Sequence, residues 1–140
     1  EELNPRNFNS LSEVEEWIED NYHPVIQLPL YLYDHSGLSM RTYPHGYHVN
    51  WDCGLVGFIV ATADDIRKWY NVKRITKAIL EKSMKELIGE VETYSQYLEG
   101  DVWYWQVYAP DDEDCEDVLE SCGGCYGCDF ALQDAKNAID

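Results

Sequence analysis

Between about Ile75 and Leu98, the residues Leu80, Met84, Leu87, Val91, Tyr94 and Leu98 recur at alternating steps of four and three. That spacing lays one apolar stripe along a single long helix. The stripe spans under three heptads, so it favours core packing onto a sheet over a coiled-coil seam. Gly100 follows where a helix C-cap glycine belongs. Immediately after it, Val102-Trp103-Tyr104-Trp105-Gln106-Val107-Tyr108 is aromatic and β-branched throughout, the clearest strand in the chain. A long helix that stops at a glycine and gives way to such a strand demands a fold containing both helix and sheet.

The remaining elements sort around this pair. Ser10 and Glu13 have capping-box spacing, and Leu11, Val14, Trp17 and Ile18 share one helical face. A helix is expected over about 10–21, within an acidic N-terminal segment 1–22. Val25 to Tyr33 is rich in strand formers, but Pro24 and Pro29 make it an edge strand or one broken near Pro29. Residues 34–50 contain Gly37, Pro44 and Gly46 and read as a long loop. Leu55 to Ala61 is apolar on both faces, as in a covered central strand. Thr62 with Asp65 caps a short helix from Ala63 to Tyr70, and Glu81 with Lys85 is a favourable pair on the long helix. Residues 110–117 form an acidic loop, and Val118 to Cys122 is the returning strand of a hairpin. Asp129 caps a last helix, Phe130 to Ile139. Strands in pairs around a long helix give an α+β class: a mainly antiparallel sheet of about four strands packed against one long helix plus shorter helices. The length of 140 residues suits a single domain.

Charge narrows the partners. Twenty-seven acids against ten bases give a net charge of −17. Residues 21–98 are neutral, whereas 1–20 carry −6 and 99–120 hold nine acids and no base. Such flanks repel nucleic acid, whose phosphates need Lys and Arg, and they equally repel an anionic membrane surface. They attract basic protein surfaces. Excess charge also serves plain solubility. No apolar run is long enough to span a bilayer, and Glu1-Glu2-Leu3 is unlike a signal peptide, so a cytoplasmic location in the host cell is expected.

Three clusters could carry chemistry. Cys122, Cys125 and Cys128 stand at two-residue intervals among glycines, and Cys115 could complete a four-sulfur site for one structural zinc. An iron–sulfur cluster, a disulfide or a set of free thiols would suit the same residues, and the working expectation is no cofactor. Asp34-His35-Ser36 has the residue types of a hydrolytic triad, but adjacent residues cannot relay a proton, and Asp-His-Ser-Gly is natural turn chemistry. His45, His48, Asp52 and Cys53 could hold a metal or activate a thiol, while Tyr47 and Trp51 would pin that loop to the body. No nucleophile elbow and no phosphate-binding loop is present. Catalysis is not expected.

The blocks Leu28-Pro29-Leu30-Tyr31-Leu32-Tyr33-Asp34-His35-Ser36-Gly37, Trp51-Asp52-x-Gly54-x-Val56-Gly57-Phe58-Ile59 and Tyr97-Leu98-x-Gly100-Asp101-Val102 resemble a family of small acidic proteins. These are carried by bacteriophages, plasmids and integrative elements and have no assigned activity. Ser121-Cys122 followed by Tyr126-Gly127 is similar to the C-terminal signature of that family. Cys125, Cys128 and the acidic N-terminal helix are not part of its pattern. The resemblance implies a mobile-element setting and assigns no site residue.

A small anionic protein in that setting is expected to inhibit a host defence nucleoprotein, as anti-CRISPR and antirestriction proteins do, by occupying a basic nucleic-acid-binding surface. The contact surface would comprise Glu13, Glu15, Glu16, Glu19 and Asp20 with Asp111, Asp112, Glu113, Asp114, Glu116 and Asp117. Exposed Trp and Tyr residues would supply its apolar anchors. The alternative is a zinc-stabilised interaction module built on Cys115, Cys122, Cys125 and Cys128.

Overall fold

A computed structural model describes residues 7–34, 36–43, 53–111 and 114–139. In chain order the elements are α1 (Leu11–Tyr22), β1 (Ile26–Asp34), β2 (Leu38–Arg41), β3 (Cys53–Ala61), α2 (Ala63–Tyr70), α3 (Lys77–Glu99), β4 (Val102–Tyr108), β5 (Val118–Tyr126) and α4 (Cys128–Ile139). The class is α+β. All strand pairs among the described residues are antiparallel, but they form two sheets, β2-β1-β3 and β4-β5, instead of one. The additional strand is β2, inside the stretch read as loop: four residues flanked by Gly37 and Pro44 are too few to show a period.

The order of the first sheet corrects two expectations. β1 is its central strand, and β3 lies at its edge among the described residues. Pro29 explains how β1 can be central. β2 pairs only with Tyr31 to Asp34, so Pro29 sits where β1 has β3 on one side and no ladder to complete on the other. The β1–β3 register shifts between Leu30 and Tyr31, one residue beyond the expected break.

The chain divides into two compact units, Glu1–Glu92 and Thr93–Asp140, where length alone had suggested one body. In the first, Ile26, Ala61, Ile66 and Leu87 are buried together, with Leu28, Ile59, Tyr70, Ile75, Ile79 and Leu80 packed around them. β1, β3, α2 and α3 each contribute. The Thr62–Asp65 capping box forms in both directions and starts α2 directly after β3. Ser10 caps α1 by accepting from the Glu13 amide, but the Glu13 carboxylate reaches back to the Asn9 amide in place of Ser10.

The α3 stripe rotates away from the expected one. Ser83, Leu87, Val91 and Ser95 are its buried positions, and Met84 and Tyr94 face solvent. Serine is tolerated there because the Ser83 hydroxyl donates to the Ile79 carbonyl at 2.9 Å. Glu81 pairs with Lys77, not Lys85, at 3.8 Å. Helix α3 ends as expected at Gly100, which has φ +77°. The Gly100 amide donates to Tyr97 O and the Asp101 amide to Gln96 O, a Schellman closure.

In the second unit, β4 and β5 make a hairpin against which α4 packs. Gly127, and not Asp129, precedes α4, which begins at Cys128 and carries Asp129 in its first turn. A Cβ at Gly127 would stand 3.1 Å from the Gln96 amide nitrogen, and its φ of +88° favours glycine.

Candidate functional site

A bulge in β5 arranges the cysteines. Trp103 pairs with Cys125, Tyr104 with Gly123 and Trp105 with Cys122, leaving Gly124 as the extra residue, at φ +73°. In a regular strand, side chains three apart point to opposite faces. One inserted residue restores the phase, so Cys122 and Cys125 share the face of Trp103 and Trp105. Helix α4 brings Asp134 to that face, where its carboxylate accepts from Trp105 Nε1 at 2.9 Å. The Cys122 and Cys125 sulfurs and an Asp134 oxygen all lie within 4.8 Å of one another.

Cys125 is 3% exposed, Asp134 is half-buried and Cys122 is exposed. Burial pushes the Cys125 thiol pKa up, reinforced by a hydrogen bond with the free Cys122 thiol and by the Asp134 charge. Beside the cluster a hollow of about 400 Å³ is lined by Trp105, Glu120, Ser121, Cys122, Asp134 and Asn137, among others. The four-sulfur set is therefore corrected. Cys115 and Cys128 are exposed and do not belong to the cluster, and Asp134 stands in it instead. Asp134 was missed because its one sequence signal is indirect: a carboxylate nearly two turns into α4, opposite a strand tryptophan.

The opposite face of the hairpin carries Val102, Tyr104, Gln106, Tyr108, Val118 and Tyr126. Val102, Val118 and Tyr126 are exposed, and Tyr104 is 73% exposed. Residues 93–140 contain twelve acids and one base, Lys136, a net charge of −11. Asp111, Asp114, Glu116 and Asp117 are exposed, and Asp112 and Glu113 lie outside the described residues.

In the first unit, Glu13, Glu15, Glu16, Glu19 and Asp20 are all exposed on α1. Among the described residues no Lys or Arg forms an ion pair with any of them. Glu13 caps the helix and Glu15 accepts from Gln27 at 3.2 Å. On its other side α1 turns Leu11, Val14, Ile18 and Tyr22 toward β3, and with Val56, Phe58 and Val60 they line an apolar hollow of about 660 Å³.

Asp34 and Leu38 pair across a tight connection with Ser36 at φ +62°, which is turn geometry. His35, His45, His48, Asp52, Tyr47 and Trp51 lie outside the described residues. Cys53 is buried at the start of β3, whereas a nucleophilic thiol needs access. No family model matches the chain, and neither a curated protein nor a solved structure does.

Proposed function

We propose that this chain is a binding protein that occupies the basic nucleic-acid-binding surface of a host defence nucleoprotein, in the manner of anti-CRISPR or antirestriction proteins. One observation carries the reading. The unit 93–140 combines a net charge of −11 with an exposed hairpin face bearing Tyr104, Val102, Val118 and Tyr126. Carboxylates alone contribute little at a solvated rim, so a tight interface needs desolvated aromatic anchors near them. Asp111, Asp114, Glu116 and Asp117 lie on the connection between the two strands that carry those anchors. Their charges meet the Lys and Arg that otherwise hold phosphates, and the aromatics add area with few torsions to freeze. The exposed acids of α1 offer a second anionic surface of the same sign. The sequence blocks that resemble mobile-element proteins support a setting in which defence enzymes are the targets.

The test is DNA cleavage by purified restriction endonucleases and RNA-guided nucleases of a bacterial host, with the protein in molar excess. Inhibition of at least one, relieved by raising the concentration of the substrate DNA, is the expected result. Full cleavage by every enzyme, at low as well as moderate salt, contradicts the proposal.

A further inference from the structure

We propose that Cys122, Cys125 and Asp134 form a binding site for one thiophilic divalent cation, with zinc the best chemical match. Two thiols set the class, because sulfur donors select zinc-like ions over magnesium or calcium. The three donor atoms lie within 4.8 Å of one another. A tetrahedral ion with bonds of about 2.0–2.3 Å holds its ligands about 3.3–3.8 Å apart, which small side-chain rotations supply. The carboxylate is already oriented: Trp105 Nε1 donates to one Asp134 oxygen at 2.9 Å, the kind of outer support that metal-binding carboxylates have. The fourth position opens onto the hollow lined by Glu120, Ser121 and Asn137, which has room for a water.

The build of the unit gives an independent reason. Within residues 93–140 the buried apolar residues are Cys125 and Ala131, at 3% and 6% exposure, among those described. A unit this small with so little core gains from a cross-link. Two ligands come from β5 and the third from α4, so one ion ties the hairpin to the helix. The bulge at Gly124 acquires a purpose here: without the extra residue, Cys122 and Cys125 would face opposite sides.

The experiment titrates the full, reduced chain with cobalt(II) and then zinc(II), reading thiolate-to-cobalt absorption and the melting temperature. One equivalent of cobalt producing sulfur charge-transfer bands, displaced by zinc, is expected. Zinc should raise Tm by about 5 °C or more, reversed by chelator. Cys122→Ser, at an exposed position, should abolish the bands, and Asp134→Asn, which removes a charged ligand, should weaken affinity by about tenfold or more. Cys115→Ser and Cys128→Ser should change affinity less than about twofold, within the scatter of exposed substitutions. Cys125→Ser disturbs a buried position, so Cys122→Ser and Asp134→Asn decide the matter. Absence of the sulfur bands overturns the assignment. So does their survival in Cys122→Ser, full affinity in Asp134→Asn, or equal loss in Cys115→Ser or Cys128→Ser.

Discussion

Single residues set the turns on which both units depend. Asp65 shows how a cap becomes a pH effect. Hydrogen bonds from the Thr62 hydroxyl and amide hold its carboxyl below the ordinary value of 3.8. Its stabilisation is therefore complete above about pH 4 and is lost as pH falls through the lowered folded value. Thr62→Ala should cost about 1 kcal/mol in denaturant unfolding at neutral pH, and Asp65→Asn should flatten the acid limb of the stability curve. Gly124 and Gly123 make a sharper contrast. Gly124 has φ +73° with nothing within 4 Å of a Cβ, so alanine there should cost about 1–2 kcal/mol from backbone strain alone. At Gly123, which lacks a positive φ, a Cβ meets Tyr104 Cβ at 3.8 Å, an ordinary contact. Alanine at 123 should thus cost clearly less than at 124. Equal losses in the two variants would contradict the bulge geometry.

At the scale of elements, most of this fold could be read from spacing, because the signals were local. The limits of α2 and β4 coincide with the expected ones, since Thr62–Asp65 and the run Val102–Tyr108 are self-contained. The failures share one cause, namely partners remote in sequence. Which strand is central depends on β2, and no local pattern announces a four-residue strand. Cys122 and Cys125 were visible as a pair, but their common face depends on register with β4, and Asp134 depends on the packing of α4. On α3, a strict four–three pattern drifts relative to a straight helix of 3.6 residues per turn, so Met84 left the buried side and Ser83 entered it. Leu87→Ala should therefore cost about 2–5 kcal/mol in thermal or chemical unfolding, since Leu87 is 2% exposed. Met84→Ala, at 40% exposure, should fall within about 0.5 kcal/mol of wild type. A large loss at Met84 would restore the expected stripe and contradict the packing described.

At the scale of the whole molecule, charge is organised by unit. Residues 1–92 hold fifteen acids and nine bases, whereas 93–140 hold twelve and one. No described helix is long and apolar enough to cross a membrane. The anionic unit pairs its charge with exposed aromatic surface on the β4–β5 hairpin, the combination on which the proposed docking to a basic protein groove rests. If the hairpin supplies the anchors, Tyr104→Ala should weaken partner binding about tenfold or more while leaving Tm nearly unchanged, because the ring is 73% exposed. The most direct measurement is the affinity for an inhibited nuclease across a salt series from about 50 to 500 mM, for wild type and for Asp111→Lys/Asp114→Lys/Glu116→Lys. Wild-type Kd should rise steeply with salt, and the triple variant should bind at least about tenfold more weakly at low salt, with a shallower slope. A Kd indifferent to salt and unchanged by the three reversals would contradict the proposed docking.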